Sequence, residues 1–392
     1  MLSYIEAQHI IKSFAHSFGT EKVLLDDALG RVIAEDVFAD RDYPPFNRSA
    51  MDGYAIRAED LQNGIKKFEI VDAIYAGGNT EKDISSAQCY KIMTGAAVPI
   101  SANAVIRKED AEQNESAVSF LINEINPFQN IARRGEDVKE GDLVLNKSGK
   151  CNAAVIGLLA SVGKHNPLVE SLPTVAIITT GNEVMQLGEE VSEVQIRNSN
   201  LYVLKALLKS WNIKPSYHYH APDDPQKILS VLENALQFDI VIINGGVSAG
   251  DADYVPSVLQ QLGVKQFFHK VAIRPGKPFW CGHKEKTMVF ALPGNPLSCL
   301  VTFTLFIRHY LESCFGLSSS LLSLPIAEKR KQKVKLDEFF PVKIKGEPSQ
   351  FHPISFNGSG DIRLGFEANA FAIHPADKAE LKKGEIISSY LS

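Results

Sequence analysis

Three stretches of this 392-residue chain set bare backbone beside acid or proline: TTGNE (179–183), NGGVSAGDADY (244–254) and ALPGNPLS (291–298). Glycine lets backbone N–H groups close on an anion, and a helix N-terminus adds partial positive charge. Gly245, Gly246, Ser248 and Gly250 therefore predict a loop that cradles a phosphate or another oxyanion. One such loop alone is more often an ordinary turn; three at one edge of a sheet predict a site. Five carboxylates, Glu183, Asp223, Asp224, Asp251 and Asp253, follow predicted strands and are expected on the same rim. They would repel a phosphate unless a cation intervenes, and Mg²⁺ commonly bridges one or two carboxylates to substrate phosphates. Asp251 or Asp253 could equally be a helix N-cap. As a set, the five predict a metal.

Positive charge is expected opposite them. VAIRPGKPF places Arg274 and Lys277 around a Pro-Gly turn, where they could neutralise phosphates. Arg133 and Arg134 in IARRGED could do the same, although paired arginines are more often solvated. His218 and His220 share a strand face without a third ligand nearby and read as structural. The chain lacks G-x-S-x-G, H-E-x-x-H and a full Walker A pattern, which argues against acyl transfer, zinc proteolysis and P-loop chemistry.

The elements that must position these loops are legible from Pro173 onward. PTVAIITTG, IKPSYHYH and FDIVIINGG read as strands; NSNLYVLKALLKSWN, DPQKILSVLENALQ and ADYVPSVLQQLG read as helices. That alternation predicts a parallel-rich sheet with helices on both faces, a three-layer α/β domain over 172–318. Ligands of such sheets bind beyond the carboxyl ends of the strands, where the three loops fall. Asn295 as N-cap, Pro296 at the first helical position and Gly316 past the end bound a long last helix. Before this domain, Ser3 to Phe18 has helical spacing and an S-x-x-E capping box. Short apolar runs across 46–137 predict a mostly β domain, and residues 1–45 with 138–171 a discontinuous N-terminal one whose second piece could pack on the first helix. Residues 319–392, broken by Pro325, Pro341, Pro348 and Pro353, predict a C-terminal β domain.

Composition narrows the class. A formal charge of −5 gives no reason to expect nucleic acid. The N-terminus does not read as a signal peptide, and Leu297 to Ile307 is far shorter than the roughly 20 apolar residues of a membrane span. Five cysteines without a CxxC suggest reduced core thiols in a cytoplasmic protein.

Seven ordered motifs carry a family likeness: PPFNRSAMDGYA, IMTGAAVP, ARRGEDVKEGD, TTGNEV with QIRNSN, GGVSAGDADY, IRPGKPF and LPGNPLS. Over nearly the whole chain the sequence resembles the molybdopterin molybdenumtransferases, the MoeA family, which includes the E domain of gephyrin. The resemblance implies an elongated homodimer of four-domain subunits, its α/β domain related to molybdopterin adenylyltransferases. It implies insertion of molybdenum from molybdate into adenylylated molybdopterin, with Mg²⁺, releasing AMP. Carried over by motif, Asp52, Asp137, Glu183, Asp253 and Lys277 are candidate catalytic residues. Thr94, Arg274, Pro293, Gly294, Asn295 and Pro296 join the glycine loop as candidate substrate contacts. Either Asp223 or Asp224 corresponds to a further family acid. Asp52, Thr94 and Asp137 lie outside the α/β domain, and the family answers this with a cleft built across the dimer. Transient partners implied are molybdopterin adenylyltransferase and molybdoenzyme maturation proteins. Arg274 stands where many members have Lys, Asn182 where many have Asp, and IRLGFE replaces the usual small-residue stretch near Ser359 and Arg363. The other readings are an adenylyltransferase-like enzyme, a tungstate-specific paralogue and a scaffold; MDGYA and RRGED disfavour the first, and the lack of a linker or partner domain disfavours the last.

Overall fold

The computed structural model describes residues 1–78, 82–247, 253–318, 321–332, 334–363 and 367–391. Its centre is a six-stranded sheet. In spatial order its strands are Tyr217–Ala221, Val175–Thr180, Ile240–Asn244, Thr287–Leu292, Trp280–Lys284 and Lys265–His269. The first four are parallel; Trp280–Lys284 runs antiparallel to both of its neighbours, which returns Lys265–His269 to the common direction. Two central strands, VAIITT and IVIIN, are buried along their whole length, as strands covered on both faces must be. Their side chains alternate between two cores. Val175, Ile177, Ile240, Ile242 and Phe290 face one, with Leu201, Leu204 and Leu208 of the helix Ser199–Lys209. Ala176, Ile178, Val241, Ile243 and Val289 face the other, with the helices Pro225–Ala235 and Val255–Gln261. This is the predicted three-layer arrangement. The antiparallel pair at the edge had no signal in the sequence.

The last helix starts at Pro296 and runs to Cys314, with a π-helical turn over Phe303–Ile307 and a left-handed Gly316 beyond it. Asn295 holds the cap position but does not cap. Its side-chain amide instead donates to Ser359 Oγ at 3.0 Å. The first helix spans Tyr4–Ser13, shorter than its spacing suggested, with the capping box formed by Ser3 and Glu6. The chain leaves it because Phe14 packs on Phe267 and His283, while Phe18 packs on Phe315. This helix lies on the last helix, not on residues 138–171: Ala7 and Ile11 join the core of the α/β unit, and Gln8 Nε2 reaches Leu305 O at 2.8 Å. Residues 153–161 form a helix whose Leu159 packs with Val37, Cys151 and Val169 in a separate small core.

A second six-stranded sheet lies within residues 53–120, with a core on each face. The C-terminal sheet joins Leu322–Pro325, Asp337–Lys345, Gln350–Pro353, Ala370–His374 and Ile386–Leu391. It is stitched to the α/β unit by a short parallel pairing, Ile273 with Asp337 and Arg274 with Glu338. All five cysteines are buried and free. Burial pushes the Cys89 and Cys299 thiols up to about 12, which makes them inert. Among the described residues no helix is long and apolar enough to cross a membrane.

Candidate functional site

Strand register decides which loops meet. Thr179 pairs with His220 on one side and Asn244 on the other, and Asn244 pairs in turn with Leu292. The chain segments after these strands therefore open side by side at one end of the sheet. They enclose a cleft of about 380 Å³, lined by Glu183, Asp223 and Asp253, by Gly245 and Gly246, and by Pro293 to Pro296. A second cleft of about 890 Å³ adjoins it and shares Pro278, Pro293 and Asn295. Its lining includes Arg274, Lys277, Arg330 and Lys331, against a single carboxylate, Glu338. The first cleft sets three carboxylates against one cation, Arg197, and so is acidic in balance; its neighbour is basic.

Buried amides brace the acidic cleft. Asn200 Nδ2 donates to Asn244 Oδ1 at 2.9 Å and to Gly294 O at 2.6 Å, while Asn244 Nδ2 donates to Pro293 O at 2.9 Å. Two glycine- and proline-punctuated loops are thus tied to one helix start. Asn198 Nδ2 donates to Thr179 Oγ1, and His220 bonds the same hydroxyl and Gly181 O. A carbonyl can only accept, so His220 Nε2 carries the proton there. His220 is structural, as its sequence context suggested. Gly245, at φ +101, lies so close over Thr180 that an added Cβ would fall 2.8 Å from Thr180 O. Thr180 Oγ1 and Asn200 Oδ1 are buried in the lining and have no hydrogen-bond partner among the described residues. Native structures seldom leave such atoms orphaned unless water or a ligand completes them.

The paired aspartates separate cleanly. Asp224 caps the helix Pro225–Ala235, accepting from Gln226 N and Lys227 N. Asp223 lines the cleft and locks to the Glu183 loop, its Oδ2 accepting from Asn182 N while Asn182 Oδ1 accepts from Asp223 N. Asn182 therefore stitches two loops, a role that needs no charge. Asp253 lines the cleft directly before the helix Val255–Gln261. Ser248, Gly250 and Asp251 lie outside the described residues. Of the five expected rim acids, those that line the cleft among the described residues are Glu183, Asp223 and Asp253. No group of three or more His, Cys, Asp or Glu side chains gathers as a metal cage among the described residues. That donor set fits Mg²⁺, which takes one or two carboxylates and fills its other positions with water and substrate phosphate.

Arg274 and Lys277 were expected opposite the acids; they line the adjoining basic cleft. Other predicted residues lie elsewhere. Asp52 accepts Thr94 N at 2.8 Å and Thr94 Oγ1 at 2.7 Å, and these bonds hold its carboxyl below the usual carboxylate range. Asp137 N donates to Tyr43 O in a turn. None of Asp52, Thr94 and Asp137 lines either cleft of its own chain. Arg133 stacks on Phe128 and Arg134 pairs with Asp42, so neither arginine faces these clefts. Ser359 lines the basic cleft, whereas Arg363 folds onto Asp361.

Residues 2–163 match the MoeA N-terminal region (domain I and II), and residues 176–313 match a family described as "Probable molybdopterin binding domain". A molybdopterin molybdenumtransferase of Staphylococcus epidermidis is 34% identical, covering 94% of this chain and 90% of its own. The protein of the same name from Synechocystis is 31% identical over the full length of both. The chain belongs to the molybdopterin molybdenumtransferase family. The crystal structure of the molybdopterin biosynthesis moeA protein of Pyrococcus horikoshii OT3 superposes with a TM-score of 0.85 at 30% identity, over all of both chains.

Within this member of the family, three features had no signal as site residues in the sequence. The Asn200–Asn244 brace was hidden because asparagines near helix starts look like caps. Arg330 and Lys331 sit in a charge-rich stretch that reads as solvated surface. Glu338 follows them in that stretch, yet its side chain is 4% exposed.

Proposed function

We propose that this chain is a molybdopterin molybdenumtransferase. On this reading it joins molybdenum from molybdate to adenylylated molybdopterin and releases AMP. The observation that carries the reading is the pairing of an acidic cleft with a basic one across Pro278, Pro293 and Asn295, in a chain of this family. A pyrophosphate bound through a cation calls for carboxylates, an oxyanion bound directly calls for guanidinium and ammonium groups, and here the two kinds of lining adjoin.

The residues divide the work as follows. Gly245, Gly246 and the 293–296 loop present backbone to the phosphate side of the substrate, and the Asn200 brace keeps those loops in register. One or two of Glu183, Asp223 and Asp253 would hold Mg²⁺. When bound, that ion would draw charge from the pyrophosphate and so ease attack by a molybdate oxygen or a water at phosphorus, with the P–O–P bond breaking and AMP leaving. Lys277 stabilises charge developing on the transferred group from the basic side. Arg274 and Arg330 hold the tetrahedral oxyanion, with Ser359 beside them. Thr180 Oγ1 and Asn200 Oδ1 are available to polar atoms of the substrate.

The four-part division (1–45 with 138–171, 46–137, 172–318 and 319–392) belongs to the same proposal. It is supported by the pairing of Thr20–Lys22 with Leu168–Glu170 and of Val37–Phe38 with Leu143–Leu145. We also infer a homodimer, in which Asp52, Thr94 and Asp137 complete the cleft of the other subunit. That none of the three lines either cleft of its own chain supports this. The setting is cytoplasmic, with molybdopterin adenylyltransferase as donor and maturation proteins of molybdoenzymes as acceptors of the product.

The test is AMP release from adenylylated molybdopterin by the purified protein with Mg²⁺, with and without molybdate. The expected result is release that requires molybdate and yields a cofactor able to activate an apo-molybdoenzyme. Release driven by tungstate alone would reassign the oxyanion, and no release with either would overturn the reading.

A further inference from the structure

One buried carboxylate organises the basic cleft. Glu338 is 4% exposed, and its two oxygens go to two different arginines: Oε1 lies 3.5 Å from Arg274 Nη1 and Oε2 lies 2.8 Å from Arg330 Nη1. Arg274 comes from the loop of the α/β unit and is Glu338's register neighbour in the parallel pairing that stitches on the C-terminal sheet. Arg330 comes from the C-terminal part itself, its guanidinium 4.1 Å above the ring of Phe340. Arg330 Nη1 also meets His374 Nδ1 at 2.8 Å, while His374 Nε2 meets Lys378 O at 2.9 Å. Arginine only donates and a carbonyl only accepts, so His374 is the neutral ring with its proton on Nε2.

The donor count follows. Both hydrogens of Arg330 Nη1 are used, one by Glu338 and one by His374. The Nε–H and Nη2 hydrogens have no partner among the described residues. That free edge is the fork with which a guanidinium takes two oxygens of an oxyanion at once. Arg274, in ion-pair contact with Glu338, has no other side-chain partner among the described residues.

We propose that Glu338, with His374 behind Arg330, is a positioning residue that holds two arginines from two parts of the fold as one seat for a tetrahedral dianion. This rests on the oxyanion reading of the basic cleft given above. A carboxylate in an anion site would ordinarily repel the ligand. Here it is buried behind the guanidinium groups and is already shared between two cations, so its effect is to aim them.

The sign of one substitution separates positioning from mere charge. Molybdate binding to the full chain is measured by titration calorimetry, alongside the molybdate dependence of AMP release. Glu338→Gln keeps the size and removes the charge. If Glu338 positions the arginines, Kd and KM for molybdate rise about tenfold, the scale of one charge-assisted hydrogen bond, and kcat changes less than twofold. Unchanged or tighter molybdate binding by a folded Glu338→Gln protein would overturn the proposal, as would no molybdate binding by the unaltered chain.

The histidine supplies a second route should Glu338→Gln fail to fold. His374→Asn keeps an acceptor near the place of Nδ1, and His374→Leu does not. Molybdate Kd rises several-fold in the leucine variant and returns toward the original in the asparagine variant. Equal values in the two would refute the role of His374 and, without a folded Glu338→Gln, the proposal. If binding shifts as expected but AMP release ignores molybdate, the seat stands and the molybdenumtransferase reading falls.

Discussion

Gly245→Ala tests whether the acidic cleft is shaped by close backbone approach. Two separable terms set the size of the effect. At φ +101 a residue with Cβ is strained by about 1–3 kcal/mol. In addition, the new Cβ would lie 2.7 Å from Thr180 Oγ1 and 2.8 Å from Thr180 O, and that carbonyl ends a central, fully buried strand that cannot yield cheaply. Overpacking of this kind costs about 1–3 kcal/mol more. Gly263→Ala isolates the first term, because Gly263 is also left-handed (φ +75) but nothing lies within 4 Å of its added Cβ. Gly294→Ala isolates the loop's function, since its added Cβ meets only Gly245 Cα at an ordinary 3.9 Å. The assay is the thermal midpoint of the transition that includes the α/β unit. A loss of 1 kcal/mol lowers such a midpoint by roughly 2–4 °C in a protein region of this size class. Gly245→Ala should therefore fall by roughly 5–20 °C, Gly263→Ala by less, and Gly294→Ala by little. If Gly245→Ala melts no lower than Gly263→Ala, Thr180 does not press on the loop and the stated origin of the cleft's shape is wrong.

The paired aspartates should diverge. Asp224→Ala removes a helix cap and costs about 1 kcal/mol of stability, read by urea unfolding, with little change in kcat. Asp223→Asn should instead lower kcat about tenfold or more, the scale of a lost charge-assisted contact, and raise the Mg²⁺ needed for half-maximal AMP release. Lys277→Ala should lower kcat by about 10²–10³, the range for removing one transition-state donor, with a smaller change in KM; an unchanged kcat would remove Lys277 from the chemistry. Burial is the first reason His374 titrates below the ordinary histidine value of 6.5. The unfolded chain then binds a proton that the folded chain refuses, so stability is full above that value and declines as pH falls through it. Urea midpoints at pH 7.5 and 5.5 should show this slope, and His374→Asn should flatten it.

The parts of the fold that were legible in the sequence are those encoded locally. VAIITT and IVIIN are apolar throughout because both faces are covered. Ser3 and Glu6 announce the first helix, and Pro296 and Gly316 bracket the last. What the sequence withheld depends on long-range pairing. Lys265–His269 and Trp280–Lys284 form the antiparallel edge, but the chain between them detours to the C-terminal sheet at Ile273 and Arg274, so no tight-turn signal marks a hairpin. The same holds for the site. Glycine loops after strands were readable, as was the carboxylate rim, whereas the division of Asp223 from Asp224 depended on which side chain turned back to cap its helix. EKRKQKVKLDE reads as a solvated run until Phe340, His374 and Arg274 bury one side of it.

That burial also explains why the two clefts carry opposite charge so close together. Carboxylates and guanidinium groups with free rotation at this range would pair across the opening and fill it. Here one of the carboxylates and two of the cations are already engaged. Asp223 is tied to the Asn182 backbone, and Arg274 and Arg330 are tied to Glu338. Between them stand Pro278, Pro293 and Asn295, which bring no charge, and the Asn295 amide is spent on Ser359. A preorganised separation of charge of this kind costs no rearrangement when a metal-bound phosphate and an oxyanion must be brought together. It also predicts where the separation is weakest. Ser359 is the partner of Asn295 across the joint between the α/β unit and the C-terminal sheet. Ser359→Ala should therefore weaken molybdate binding while leaving the urea midpoint within about 1 kcal/mol, the net worth of one exposed hydrogen bond. Unaltered molybdate affinity in that variant would mean that the two clefts are kept apart by the prolines alone.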